Sequence, residues 1–447
     1  MAEKLVVIGG DAAGMSAAAK ARRSRDDLEI VVFERSGHTS YSACGMPYLI
    51  GGLVEEAEEL VVRGPEEFRE RYRIDARVRH EVLAIEPAAG RVRVRDLAAG
   101  REWWEEFDQL LIATGAEPFC PDFPGADSAG IFGLSTLESG LRVQAALADG
   151  AARKAVVVGG GYIGLEMAEA LVRRGLEVTL VTKSPEVMPT LDPDMGKLVS
   201  EALREVGVTL LLEESLTGFE SEDGRVRTVV TERRTLPADL VVLGLGVRPA
   251  TALAAAAGIP LGVKGALRVN PQQQTEVAGI WAAGDCAESF HLVSRQPVHI
   301  ALGTVANKQG VVAGTNLGGG YATFPGVIGT AVSKICRYEV ARTGLSEEEA
   351  RAAGLLWTSA VVKSRTRAHY YPGAGRITVK LLAERGSGRL LGGQIVGFEG
   401  AAKRIDIVAT AITAGLTAAD LVGLDLSYAP PFSPVWDPVQ LAARQLI

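Results

Sequence analysis

One pattern, used twice, limits what this chain can fold into. The apolar run Lys4–Ile8 leads into Gly9-Gly10-Asp11-Ala12-Ala13-Gly14, then an alanine-rich helical stretch to about residue 24, then a second apolar run over residues 29–33 that ends on Glu34. Lys154–Val158, Gly159-Gly160-Gly161-Tyr162-Ile163-Gly164, a helical stretch to about residue 174 and the run Glu177–Val181 repeat that order. A glycine at a strand end lets the backbone turn tightly into a helix whose free N–H groups and positive dipole end face a pyrophosphate; the last glycine is needed where a Cβ would collide. A single run of this kind is equally well an ordinary glycine-rich turn. Two copies, each between a strand-like and a helix-like segment, predict two βαβ units and two nucleotide sites.

The first copy is followed, about 20 residues beyond Gly14, by Glu34, a carboxylate placed to accept from ribose hydroxyls, with Arg35 beside it. Asp11 stands where the fingerprint has its middle glycine, so a side chain narrows the approach to the phosphates, and Ala12 and Ala13 complete the turn. Two later segments bear on which nucleotide binds there. Leu110-Leu111-Ile112-Ala113-Thr114-Gly115 is an apolar strand ending in a small-residue turn; residues 275–285 form another, ending in Ala283-Gly284-Asp285. A carboxylate at the end of a buried strand is placed to bind the ribityl chain of a flavin, the alternative being an Asp that caps the next helix. The order of these segments makes FAD the first nucleotide.

In the second copy the contact candidates are Gly159, Gly161, Tyr162, Ile163, Gly164 and Glu166. NADH-selective folds end the next strand on an acid that binds the adenine ribose. Here the run ends on Val181, followed by Thr182 and Lys183. A hydroxyl and a cation suit a 2′-phosphate better, so NADPH is expected, with NADH also used; the plain reading of Lys183 is a solvated loop lysine.

The 447 residues exceed what one hydrophobic core organises, which predicts two or three domains. Net charge of -7 gives no basic field for a nucleic acid. No run has the roughly 18 apolar residues that span a bilayer, and residues 5–8 are too short for a signal-peptide core, so a soluble cytoplasmic protein is expected. Cys44, Cys120, Cys286 and Cys336 are far apart, with no CxxC and no ligand-spaced histidines, so neither a structural metal nor a disulfide framework is expected.

With its segments in this order the chain resembles the pyridine nucleotide-disulfide oxidoreductase superfamily over its whole length. The resemblance implies an α/β, glutathione reductase-like fold: two Rossmann-like domains for FAD (1–112 with 246–325) and NAD(P) (113–245), and an α+β C-terminal domain (326–447) that makes a homodimer. Tyr162 lies where relatives place an aromatic gate over the flavin.

Ser40-Tyr41-Ser42-Ala43-Cys44-Gly45-Met46-Pro47-Tyr48 reads as a loop and a short helix stopping at Gly51-Gly52, with Cys44 near the helix start and Pro47 in its first turn. Helix-terminal N–H groups favour an anion, so Cys44 is expected to be a populated thiolate and a nucleophile, as against a buried structural cysteine. Dithiol relatives carry a second cysteine nearby; Cys44 has none, which gives a single-cysteine mechanism. The segment resembles the SFxxC motif of coenzyme A disulfide reductases, with Tyr41 in place of Phe. Peroxidases and oxidases of the superfamily carry a histidine where Ala12 stands. Ser16, Lys20 and Arg23 share one face of the first helix and suit an ADP-like anion, although a solvated charged stripe is the plainer reading. The resemblance makes them coenzyme A contacts, together with Ser40, Ala43, Tyr72 and Asn307. It also implies that Tyr370 and Tyr428, in two proline-bearing loops, reach across the dimer to the partner's Cys44, so that the active sites are shared. The other cysteines are expected to pack in the core.

These implications add up to a relay from NADPH or NADH through FAD to a Cys44–S–S–CoA disulfide, reducing CoA disulfide to two thiols. Two rivals share the scaffold, an NAD(P)H oxidase and a persulfide or polysulfide reductase; the latter is weighed down by the chain ending at Ile447, without an appended rhodanese-type domain. From another class comes a thiol redox sensor or an electron donor to a protein partner.

Overall fold

The computed structural model describes residues 3–447. The runs Lys4–Ile8, Glu29–Glu34, Asp75–Val78, Gln109–Ile112 and Ile280–Ala282 form one parallel sheet with Lys4–Ile8 at its centre. Leu5, Val6, Val7, Leu110, Leu111 and Ile112 are fully buried. Continuous apolar runs of this kind suit a sheet covered on both faces. A second parallel sheet repeats the plan with Lys154–Val158 central, flanked by Glu177–Val181 and Leu240–Leu243 and closed by Thr209–Leu211 and Ile131–Gly133. In the antiparallel meander of His80–Glu86, Arg91–Asp96 and Glu102–Glu106, Val92 and Val94 point inward while Arg93 and Arg95 face water, the two-residue period of a half-buried strand.

The chain leaves the first unit through Ala116–Pro118 and returns through Val247–Pro249; the two segments pair antiparallel, and Thr114 Oγ1 donates to Ala250 O at 2.7 Å. The C-terminal third is a five-stranded antiparallel sheet, Ala331–Ile335, Tyr338–Gly344, Leu390–Gly397, Arg376–Glu384 and Trp357–Arg365 in spatial order. Val379, Leu381 and Ile395 pack with the helices Ile405–Thr413, Ala418–Val422 and Pro438–Ala443, whereas Ile335, Val340 and Val396 join the core of the second Rossmann unit. The C-terminal sheet therefore bears directly on that unit.

Two expectations are corrected. The strand foreseen from residue 275 is only Ile280–Ala282, because Asn270 Oδ1 accepts from the N–H groups of Gln272 and Gln274 and Thr275 Oγ1 accepts from that of Val277, turning the backbone before a ladder can form. Of the three cysteines assigned to the core only Cys286 lies there: Cys120 is exposed on the segment after Ala116–Pro118, and Cys336 is half-buried at a hairpin turn with φ 55°.

Candidate functional site

The first glycine turn is held open by contacts that admit no side chain. Gly9 has φ +108°, and a Cβ there would overlap the carbonyl of Ala113; one on Gly14 would overlap the carbonyl of Gly9. Helix Ala12–Ser24 starts at this turn. Helix Gly303–Leu317 packs on it through Gly310 and Gly314, whose missing side chains leave room for the backbone of Ala13 and Ala17. Glu34 accepts from Gly10 N–H at 2.7 Å with one oxygen and from Ser36 N–H at 2.7 Å with the other, so its carboxylate is fixed at the strand end with lone pairs to spare. Arg35 is exposed beside it.

Asp285 supplies the test of whether a flavin fits. Its Oδ1 is buried without a hydrogen-bond partner among the described residues, and burial raises its pKa against the pull of His299. An orphaned buried acceptor is costly unless a donor arrives, and a ribityl hydroxyl is such a donor. Two residues that the sequence reading missed fix this corner: His299 Nε2 lies 2.7 Å from Asp285 O, and the buried Gln309 accepts from Gly284 N–H at 2.8 Å. Nothing in the sequence spacing marks either.

Asp11 does not cap its helix. Its Oδ1 accepts from Tyr41 N–H at 3.2 Å, and burial, opposed by that bond, lifts its pKa to about 6. The thiol loop is thereby tied to the glycine turn, and a second tie runs from Ser40 N–H to Gly10 O at 2.9 Å. Ser40 itself adopts φ 49°, and its carbonyl accepts from Val62 N–H. Cys44 sits exposed in the single turn Ala43–Gly45, ahead of helix Met46–Ile50, which ends at Gly51.

The chain's own groups act against the thiolate expectation. Partial burial, followed by the carboxylates of Glu166, Asp285 and Asp11, pushes the Cys44 thiol up. Its helix spans only five residues, too short to outweigh that field. Glu166 itself is raised by burial while accepting from Ser333 Oγ at 2.6 Å, so it joins the second Rossmann unit to the C-terminal sheet on the Cys44 side.

In the second turn Gly159 has φ +110° and meets Gly244, and Gly164 meets Gly159, as in the first; but a Cβ on Gly161 would touch nothing within 4 Å. That opening is where a pyrophosphate has room. Tyr162 and Ile163 begin the helix Tyr162–Arg173, and the Tyr162 hydroxyl is buried beside Thr190 with no well-formed hydrogen bond among the described residues. Thr182 is buried at the strand end and Lys183 is exposed after it.

The first helix carries Ser16, half-buried Lys20 and exposed Arg23 on one face. Ser16 Oγ donates to Asn307 Oδ1 at 2.7 Å, bringing two of the expected substrate residues together. Among the described residues neither Lys20 nor Arg23 is in an ion pair, whereas neighbouring Arg22 is spent on the carbonyls of Tyr72 and Arg73. Tyr72 lies under the Arg63 guanidinium, 5.3 Å from its ring centre, and Arg63 N–H donates to Ser40 O; half-buried Ala43 adds an apolar wall. Tyr370 and Tyr428, both exposed, meet each other, and the Tyr370 hydroxyl pushes the Tyr428 phenol up. No bond joins them to the Cys44 of their own chain among the described residues.

Residues 3–310 match the pyridine nucleotide-disulphide oxidoreductase family, and residues 330–438 match its dimerisation domain. The chain belongs to this family. Over 445 residues it is 40% identical to an NAD(P)H sulfur oxidoreductase (CoA-dependent) of Pyrococcus furiosus, covering 99% of both chains. It is 30% identical over 439 residues to a coenzyme A disulfide reductase of Staphylococcus haemolyticus, covering 98% of each. The crystal structure of reduced Bacillus anthracis CoADR-RHD superposes with a TM-score of 0.97 at 35% identity, over 100% of this chain and 80% of that one. The family fold, two Rossmann-type units and a C-terminal dimerisation domain, is the one described above, and the protein is an FAD-dependent oxidoreductase that uses NAD(P)H. No helix among the described residues is long and apolar enough to cross a membrane.

Proposed function

We propose that the protein is a cytoplasmic NAD(P)H:coenzyme A disulfide reductase, with FAD held by residues 1–112 and 246–325, NAD(P)H by 113–245, and a dimer made by 326–447. The observation that carries this reading is the exposed Cys44, tied through Tyr41 and Asp11 to the first glycine turn, from which starts the helix bearing Lys20 and Arg23, neither of them in an ion pair among the described residues. When bound, FAD is the two-electron carrier between the nicotinamide and the thiol.

Cys44 as thiolate attacks one sulfur of CoA disulfide: the Cys44–S–S–CoA bond forms, the substrate S–S bond breaks, and the first CoA leaves as a thiolate that takes a proton from solvent. Two electrons drawn from NAD(P)H then cleave the mixed disulfide, releasing the second CoA and restoring Cys44. A raised pKa makes this thiolate scarcer and intrinsically more nucleophilic, since nucleophilicity rises with basicity. Lys20 and Arg23 hold the nucleotide phosphates, Ser16, Asn307, Ser40 and Tyr72 flank the ligand, and the Tyr370 and Tyr428 phenols of one protomer orient the disulfide at the other's Cys44. A CoA-linked persulfide or polysulfide is the second reading; it is favoured by the 40% identity to the Pyrococcus sulfur oxidoreductase and needs the same thiol.

The test mixes subunits. In a heterodimer of a Cys44→Ser chain with a Tyr370→Phe/Tyr428→Phe chain, tyrosines acting in trans leave one site with both defects and one with neither, so about half of the native CoA disulfide turnover is expected. Tyrosines acting in their own chain would put one defect in each site, and activity would stay low. Steady-state comparison of CoA disulfide, polysulfide and oxygen as acceptors separates the substrate readings; oxygen as the fastest acceptor overturns both thiol reactions.

A further inference from the structure

The interface between the second Rossmann unit and the C-terminal sheet holds a polar cluster that none of the steps above uses. Lys380 is almost fully buried, and its Nζ lies 3.0 Å from Asp192, 2.9 Å from Asp194 and 3.1 Å from Glu347. Buried Gln394 grips Asp192 twice: its Oε1 accepts from Asp192 N–H at 2.8 Å and its Nε2 donates to Asp192 Oδ2 at 2.7 Å. The other oxygen of Asp192 accepts from Glu347 N–H at 2.9 Å. One turn away, Arg342 donates to Thr190 O at 2.6 Å, to Gly344 O at 2.6 Å and to Glu349 Oε2 at 2.7 Å. Burial disfavours the Glu349 carboxylate, and Arg342 still holds it below its ordinary range.

Residues 188–194 are the common element. On one side they are clamped by these C-terminal side chains; on the other, Met188, with φ 54°, donates its N–H to Gly160 O at 2.7 Å, inside the second glycine turn. A Cβ built on Gly160 would lie 3.4 Å from Cα of the adjoining Val187, so this segment is a strap that runs close over the turn. The buried Tyr162 hydroxyl, which makes no well-formed hydrogen bond among the described residues, lies beside Thr190 and near Arg342, Glu166 and Glu349. Burying a lysine among three acids is a poor way to gain stability, because desolvation offsets most of the attraction, but each of its bonds fixes a direction. The cluster therefore reads as a positioning device.

We infer that Lys380, Gln394 and Arg342 are positioning residues for the nicotinamide half-reaction: through residues 188–194 the dimerisation domain sets the placement of the Gly160 turn and of Tyr162. This rests on the proposal that residues 159–164 hold NAD(P)H. A strap displaced by a fraction of an ångström misplaces the nicotinamide and leaves Cys44, on a different loop, alone.

Two holoenzyme variants test it. Gln394→Met releases Asp192 without unpairing a charge, and Arg342→Lys keeps a cation beside Glu349 but cannot make all three bonds. Anaerobic stopped-flow reduction by NADPH should slow about tenfold or more, with KM for NADPH rising, in line with the cost of misplacing a reactant. Reoxidation of dithionite-reduced enzyme by CoA disulfide and FAD content should stay at native values, even though loss of buried hydrogen bonds lowers the melting temperature; a merely structural role would not confine the kinetic loss to one half-reaction. Equal loss in both half-reactions, or loss in neither, overturns the inference. Gly161→Ala separates it from the reading it rests on: its Cβ meets no atom of the chain, so a raised KM for NADPH is expected from a bound pyrophosphate alone. An unchanged KM there removes the nucleotide site itself; a raised one, with Gln394→Met and Arg342→Lys behaving as native, removes only the strap.

Discussion

Gly310→Ala probes how the proposed FAD cradle is closed. Helix Gly303–Leu317 carries Gln309, which holds Gly284 beside Asp285, and Asn307, which holds Ser16, so its distance from helix Ala12–Ser24 sets the width of the cradle. A Cβ at position 310 would lie 3.0 Å from Ala13 Cα and 3.1 Å from Ala13 C, and would overlap the Ala13 carbonyl oxygen. Carbon pairs rest at about 3.5–4.0 Å, so the helices must part by roughly 0.5–1 Å. Forcing one methyl into a closed contact costs about 1–3 kcal/mol. If that strain is relieved when the flavin leaves, FAD affinity falls by roughly 5- to 150-fold, at 1.4 kcal/mol per factor of ten. The assay is reconstitution of the apoprotein with FAD, followed by flavin fluorescence. Gly303→Ala, on the same helix with nothing within 4 Å of its Cβ, is the control and should bind FAD as the native chain does. A Gly310→Ala protein that binds FAD within about twofold of native would refute the reasoning, because strain of the stated size predicts more.

Three further outcomes follow from the site. Cys44→Ser should keep FAD and its reduction by NAD(P)H while CoA disulfide turnover falls by roughly a thousandfold or more; retained turnover removes Cys44 from the mechanism. Because burial and then the Glu166, Asp285 and Asp11 carboxylates hold the Cys44 thiol up, its thiolate is lost as pH falls from alkaline values, and Glu166→Gln, by removing one negative charge, should shift the pH profile of Cys44 alkylation in the holoenzyme downward; an upward or absent shift counts against the assignment. NADPH should reduce the flavin within about tenfold of NADH, and Lys183→Glu should turn that ratio toward NADH by about tenfold, the size of one charge-assisted contact; an unchanged ratio returns Lys183 to the status of a solvated loop residue.

Both Rossmann units were legible because their signals are local: an apolar run, a glycine turn and a helix follow one another within about 30 residues. Lys4–Ile8 and Glu177–Val181 begin and end where the pattern puts them. What could not be read are contacts between segments remote in sequence. Gln309 meets Gly284, and Lys380 meets Asp192 and Asp194 across nearly 190 residues, with no periodicity to announce either pair. The field acting on the Cys44 thiol is hidden for the same reason. Its short helix is visible in the sequence, while the acids that act on it, Asp11, Glu166 and Asp285, are brought in by three different segments. Cys120 shows a simpler limit: composition favours burial of a cysteine, and the turn that exposes it is set by the pairing of Ala116–Pro118 with Val247–Pro249.

The two glycine turns also explain one another. Their frames coincide: Gly9 and Gly159 have φ +108° and +110°, and Gly14 and Gly164 are each closed by the carbonyl of the turn's first glycine. They differ at the middle position. Gly161 faces open space, the cheapest way to admit a ligand that comes and goes, whereas Asp11 places a carboxylate there and directs it at Tyr41 N–H. A carboxylate near phosphates is unfavourable, so its presence needs an offsetting role, and the bond to Tyr41 supplies one: it registers the thiol loop against the turn proposed to hold the flavin. Burial lifts Asp11 to about 6, so near neutral pH a fraction of it is already protonated, which reduces its repulsion toward both a phosphate and the Cys44 thiolate. On the proposed assignment the exchangeable nucleotide thus has the bare turn, and the retained one has the turn that also positions the proposed nucleophile.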